Sequence, residues 1–178
     1  MLNILHKILK VGVITEPLEL KPHGAASQTL DHVGQQVKKE VTHRFGGSLA
    51  IRQVDAGSCN GCELEIHAMN NAYYDLERFN VHFVASPRHA DILLVTGPVS
   101  RNMQTALLRT YEATPDPKLV IAVGTCAVDG GEFGISYASC GAVSNVIPVD
   151  ANIMGCPPTP LVLIQGILDA IQNKNAGK

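Results

Sequence analysis

The sequence predicts an α/β fold: an open, mainly parallel sheet flanked by helices and entered from an N-terminal helical arm. Three observations carry this. From Ser48 onward, short runs of Val, Ile and Leu alternate with helix-like segments, the rhythm of strand–helix–strand units. The strand runs are apolar at consecutive rather than alternate positions, as in parallel strands covered on both faces. Apolar residues make up 46% of the 178 positions and charged ones 17%, enough apolar side chain for a core and too much for a disordered chain.

Taken in order, residues 1–47 form the arm. Residues 2–11 suit a short amphipathic helix with Leu2, Leu5 and Leu9 on one side and Lys7 and Lys10 beside them. Such a helix serves partner docking, an anionic membrane surface or closure of the chain's own core. Pro17, Pro22 and Gly24 mark 16–27 as a linker. Leu30, Val33, Val37 and Val41 then recur at helical spacing, which predicts a second amphipathic helix over 29–43. In the domain proper, 48–172, LAIRQVDA is a strand, ELEIHAMNNAYYDLER a helix and NVHFVA a strand. DILLVTG is a strand, MQTALLRTYEA a helix and KLVIAVG a strand. SNVIPVD reads as a short strand and LVLIQGILDAI as the closing helix, with 173–178 a tail. The whole is expected to be flavodoxin-like.

Composition excludes several function classes. A net charge of −2 is wrong for a phosphate-neutralising protein, and 4% aromatic residues is too few for a base-stacking platform. The low charged fraction points to a subunit that buries much of its surface against partners. Five cysteines spread over this length do not make a disulfide scaffold. No signal peptide or twin-Arg pair is apparent, and the apolar runs are far shorter than a membrane span. The chain is expected to be soluble, in a reducing compartment.

Three cysteine sites share one grammar: an apolar strand, a Gly, then Cys. They are IRQVDAGSC at Cys59, LVIAVGTC at Cys126 and VIPVDANIMGC at Cys156. Loops leaving the carboxyl ends of parallel strands converge on one edge of the sheet, so Cys62, Cys126 and Cys156 are expected to meet. Cys59 and Cys62, spaced C-x-x-C, can both reach one metal centre, and Pro157 after Cys156 is similar to the Cys-Pro ending of ferredoxin cluster motifs. Structural zinc usually draws on two C-x-x-C knuckles, whereas the four corners of a [4Fe–4S] cube suit ligands from separate loops. A redox dithiol with buried spare cysteines is a third reading. Spacing alone leaves these open. VDGGEFG has loop glycines but no following Lys-Ser/Thr, which excludes a phosphate-binding loop.

The blocks GSCNGCELEI, SPRHADILLVTGPV, GTCAVDGGEFG, SYASCG and IPVDANIMGCPPTP, with a final helix, resemble the small electron-transfer subunit of membrane-bound, energy-converting group 4 [NiFe] hydrogenases. That family is related to the 20 kDa subunit of complex I. The resemblance covers about 48–172 and implies one [4Fe–4S] cluster on Cys59, Cys62, Cys126 and Cys156. Complex I subunits carry two adjacent cysteines where this chain has Cys59-Asn60-Gly61-Cys62, a departure that points to the hydrogenase branch. Cys140 matches no ligand and is expected to be a spare, buried thiol. The resemblance places no complete active site in this chain, because the nickel–iron centre belongs to a large partner subunit. Its other implied partners are a ferredoxin-like iron–sulfur subunit and integral membrane subunits, with the chain peripheral on the cytoplasmic side of the membrane; no nucleic acid is expected. The implied activity is reversible H2 evolution coupled to ion translocation. The alternative is a complex I-like NADH/quinone oxidoreductase subunit whose cluster reduces quinone.

Four further residues take roles around that cluster. Arg88 in SPRHAD is placed beside it by resemblance, raising its potential, against the plain reading of an ion pair with Asp91. His89 is a candidate for coupling protonation to reduction, since histidine is the side chain whose ordinary pKa lies near neutrality, although such a histidine is more often partner-facing or satisfied in the core. Glu63 and Glu65 follow Cys62 at a helix start, where the macrodipole favours a carboxylate. By resemblance one of them, Glu65 by preference, relays protons toward the large subunit. His67, Met69 and Tyr73 on the same segment are expected in packing or an interface.

Overall fold

A computed structural model describes residues 23–173 together with His6 and Lys10, with side chains from residue 29 onward. The helix expected over 2–11 therefore lies outside the described residues apart from His6 and Lys10, and most of the 16–27 linker does too.

The first described helix, α1 (His23–Arg44), starts earlier than the apolar spacing predicts and takes in the end of the expected linker, at 23–27. Its stripe of Leu30, Val33, Val37 and Val41 is buried against the sheet and the last helix. This part of the arm is thus a layer of the domain, held by the same apolar burial as the rest. Gly34 sits where a Cβ would overlap the Phe79 ring, so a residue poor for helices is needed to let that ring in.

Five strands follow: β1 (Leu49–Asp55), β2 (Val81–Phe83), β3 (Ile92–Thr96), β4 (Leu119–Val123) and β5 (Ala151–Ile153). All pair in parallel, in the order β2-β1-β3-β4-β5, the flavodoxin-like arrangement. Helices α2 (Gly61–Ala68), α3 (Arg101–Ala113), α4 (Thr125–Asp129) and α5 (Pro160–Asn173) complete the fold. One face of the sheet, with Ile51, Leu94 and Ile121, packs against α1, α2 and α5. The other, with Leu93, Val95 and Val120, packs against α3 and α4 through Leu107 and Ala127. β3 and β4 are buried at every position, which is why their sequences do not alternate.

Two aspartates set the strand starts. Asp91 and Asp150 stand just before β3 and β5. The Asp91 N–H donates to the Ala50 carbonyl at 2.8 Å, and its carboxylate accepts from the Ala50 N–H at 2.9 Å. Asp150 repeats this with Val120, at 2.9 Å and 2.8 Å.

Two elements differ from expectation. The segment 63–78 is not one helix: α2 ends at Ala68, and Leu76–Phe79 forms a separate 3-10 turn. The Asn71 side chain accepts from the Tyr73 and Tyr74 amides at 2.9 and 3.0 Å, and Asp75 is left-handed at φ 43°. Side-chain bonds to nearby amides have here outcompeted the helix. Met69, Leu76 and Phe79 reach the core from a turn instead. The strand read at SNVIPVD is also displaced. Val143–Asn145 is a 3-10 turn and pairing begins only at Ala151, since Pro148 has no N–H to give a ladder and Asp150 clips the strand start behind it.

Candidate metal centre

The carboxyl ends of β1, β3, β4 and β5 lie along one edge of the sheet, around the crevice between β1 and β3 where the strand order reverses. The loop after β1 is shaped by its own polar groups. Asp55 Oδ1 accepts from the Gly57 and Ser58 amides at 2.8 and 2.9 Å, and Ser58 Oγ accepts from the Asn60 amide at 3.1 Å. Asn60 is left-handed at φ 71° and opens α2, so Cys59 and Cys62 flank a tight turn. The loop after β4 is tied to the loop after β5: the Thr125 N–H donates to the Gly155 carbonyl at 2.9 Å. Cys126 and Cys156 are brought together by that bond.

All four of these cysteines line one cavity of about 60 Å³, with Ser58, Pro98, Thr125 and Phe133 among the remaining walls. Cys62 and Cys126 are half-buried, Cys59 and Cys156 exposed. Gly124, at φ +85°, lies where a Cβ would come within 2.6 Å of the Cys62 sulfur, and a Cβ on Gly131 would meet the Cys126 sulfur at 2.7 Å. Glycine is required at both points because sulfur occupies the space a side chain would take. Among the described residues, no three His, Cys, Asp or Glu side chains converge closely enough to hold a single metal ion. Four thiols carried by the ends of three separate strands around one cavity are a donor set that fits an iron–sulfur group bound at its corners.

The thiols also feel one another. Burial pushes the Cys62 thiol up to about 11, with Glu63 and then Cys59, Cys126 and Cys156 adding to it. Cys126 is raised as well, first by burial and then by Cys156, Cys59 and Asp129, its own backbone hydrogen bond opposing. Four thiolates gathered here repel each other and invite a cationic centre to neutralise them.

The remaining expected site residues fall in different places. Glu63 is buried: its Oε1 accepts from the Thr96 hydroxyl, while its Oε2 is buried without a partner. Glu65 is half-buried instead and lies near Tyr74, whose hydroxyl pKa it helps to raise after burial and Tyr73. Of the two, Glu63 is the one held in the interior beside Cys62. Arg88 and His89 are exposed on a 3-10 turn, Pro87–His89, that packs against α3, and neither lines the cysteine cavity. No salt bridge joins Arg88 to Asp91, whose carboxylate is taken by the Ala50 amide. Cys140 is buried, with its sulfur 3.5 Å from Gln104 Oε1, in the core on the opposite face of the sheet from α1. Met69 is buried, and His67 and Tyr73 are exposed.

Sequence reasoning did not single out Ser58, Pro98, Thr125 or Phe133 as cavity walls. The first three follow strand ends next to a cysteine or glycine, a signal that was present. Phe133 arrives from a loop whose path local sequence does not specify.

No helix among the described residues is long and apolar enough to cross a membrane. Residues 59–170 match the family described as NADH ubiquinone oxidoreductase, 20 Kd subunit. The chain is 42% identical over 143 residues to formate hydrogenlyase subunit 7 of Escherichia coli, covering 80% of this chain and 56% of that protein. It therefore spans little more than half the length of that relative. It is 46% identical over 128 residues to a probable membrane-bound hydrogenase subunit, mbhJ, of Pyrococcus furiosus, covering 72% and 77% of the two chains. A chain of the membrane-bound sulfane sulfur reductase, an archaeal respiratory membrane complex, matches in structure with a TM-score of 0.61 at 37% identity, covering 72% of this chain and 73% of that one. With its parallel sheet, its cysteine-lined edge and these relatives, the chain belongs to the NADH ubiquinone oxidoreductase 20 Kd subunit family and resembles its group 4 hydrogenase-like members.

Proposed function

We propose that this chain is the electron-transfer subunit of a membrane-bound [NiFe] hydrogenase, holding one [4Fe–4S] cluster on Cys59, Cys62, Cys126 and Cys156. The observation that carries the reading is the cavity lined by all four cysteines, which come from the ends of three separate strands. When bound, such a cluster supplies one-electron transfer between a ferredoxin-like subunit and the nickel–iron centre of a large subunit.

The chain's own residues do the rest. Cys59 and Cys62 hold one side of the site and Cys126 and Cys156 the other, with Gly124 and Gly131 keeping the backbone out of the sulfurs' way. Glu63 Oε2 is an open acceptor in the interior next to Cys62, and is the better placed of the two glutamates to receive a proton and pass it on. Arg88 and His89 are not among the residues that line the cavity and are assigned no ligand role. Helix α2 and the loops after α4 and β5, next to the cysteines, also carry exposed apolar side chains: Leu64, Phe133, Ile135, Tyr137 and Met154. An apolar surface of that kind calls for a protein partner. Covering the cavity mouth with the large subunit would exclude water and set the distance for electron transfer. Membrane subunits would then hold this chain peripherally, on the cytoplasmic side.

A second reading has its own support: the matching family is described as a subunit of NADH ubiquinone oxidoreductase, so the chain could pass electrons to a quinone instead. Metal analysis of the complex, purified anaerobically through this chain, separates the two. Iron with stoichiometric nickel is expected, together with H2 evolution from a reduced donor. Iron with no nickel, after loss in preparation is excluded, transfers the assignment to a quinone or related reductase. Iron absent and zinc present overturns both.

A further inference from the structure

Away from the cysteines, the sheet has an unfinished edge. β2 pairs with β1 only from Leu49 to Ile51, so the outer side of β1 from Arg52 onward has no neighbouring strand among the described residues. Between this edge and α2 lies a cavity of about 160 Å³, walled by Arg52, Gln53, Ile66, His67, Asn70 and Phe83. The Arg52 side chain lines this cavity, its Nε is buried without a hydrogen-bond partner, and it takes part in none of the salt bridges among the described residues.

A guanidinium stays charged at any working pH and all its N–H groups are donors. Arg52 is half-buried overall, and its Nε is buried with no acceptor; a charged group left without an acceptor at a cavity wall is a place where one from outside can bind. The neighbouring walls supply polar groups that can join the contact, the Asn70 carboxamide and the His67 imidazole, both on exposed residues. Arg52 is the cavity's one permanent cation, which matches one negative charge. A phosphate dianion would be half-neutralised, and a neutral ring would leave the guanidinium unpaired. Ile66 and Phe83 give apolar wall for a short stem.

We propose that this cavity is a carboxylate-binding site, filled by an Asp or Glu side chain of a partner subunit or by a small organic acid. Arg52 grips the carboxylate, and Asn70 and His67 orient it. Neither Arg52 nor His67 lines the cysteine cavity, so iron content reports separately on the metal reading.

The test uses the whole complex purified through this chain. R52K puts a primary amine in the cavity, and a water-soluble carbodiimide joins that amine to a carboxylate in contact with it. Mass spectrometry is expected to show position 52 linked to an Asp or Glu of another subunit. If a free acid is the source, that link is absent, and acetate or succinate raises the thermal midpoint of the wild-type complex. R52M then raises the half-saturating acid concentration by about tenfold or more, as loss of a charged hydrogen bond does, with iron content unchanged. Should R52M fail to assemble, N70A serves in its place, with a smaller shift in the same direction. A link only to a carboxylate of this same chain overturns the proposal. So does the absence of any link together with acid stabilisation that is missing or indifferent to these substitutions.

Discussion

The bodies of β3 and β4 and the loops that leave their carboxyl ends are built on opposite rules only a few residues apart. Ile92–Thr96 and Leu119–Val123 are buried throughout, and their side chains fill space. At Gly97 and Gly124, both at positive φ, a Cβ would strike the Ser58 backbone at 2.5 Å and the Cys62 sulfur at 2.6 Å. There the space is already taken by neighbouring backbone and sulfur, and the absence of a side chain is what makes the close approach possible. The strand bodies are stabilised by apolar area removed from water. The loop edge spends conformational freedom to bring thiols together. Stability and the site are therefore separable in this molecule, and substitutions can pull them apart.

The largest effect is expected in a strand body. Leu94→Ala removes a fully buried side chain from the core on the α1, α2 and α5 face of the sheet and should cost about 2–5 kcal/mol, read as a lower denaturation midpoint, with iron lost because the fold is lost. Next comes Gly124→Ala, which forces an L side chain into a positive-φ extended conformation open essentially only to glycine (φ 85°, ψ 153°) and against the Cys62 sulfur. It should cost about 1–3 kcal/mol from the backbone alone and strip iron from a chain whose circular dichroism stays native. Retention of full iron in this variant would show that the sulfur can move aside, and the comparison would lose its sharpest point. Cys126→Ser is expected to remove or degrade the cluster's electron paramagnetic resonance signal while circular dichroism stays native, any lost stability being that which the bound cluster supplied. An unchanged cluster in that variant would sink the ligand assignment. Cys140→Ser is expected to have the smallest effect. Its thiol is buried in the other core, so the cluster signal should be intact and the cost confined to placing a hydroxyl among apolar neighbours, about 1 kcal/mol.

Much of this was legible in the chain itself. The run ILLVT declares a strand covered on both faces, and a Gly just before Cys after an apolar run declares a strand end. Where local signals conflicted, reading failed. Met69, Leu76 and Phe79 lie at spacings that continue a helix, and only the Asn71 side-chain bonds stop it. SNVIPVD has a strand's composition but gives way to a turn before Asp150. The choice between Glu63 and Glu65 was beyond sequence, because two residues of helix rotation decide which one meets Thr96.

By itself the sequence determined the order of the elements, the two-faced burial of the strands, and the four cysteines as candidate ligands. Each of these is a local pattern of side-chain polarity or backbone freedom, readable within a few positions. The tertiary structure alone decided that α1 is a layer of the domain, that Glu63 rather than Glu65 turns inward, that Arg88 is exposed and outside the lining of the cysteine cavity, and that Arg52 lines a gap where β2 ends. Those outcomes depend on which distant segments share the same space, and packing between segments far apart in the chain leaves no local trace.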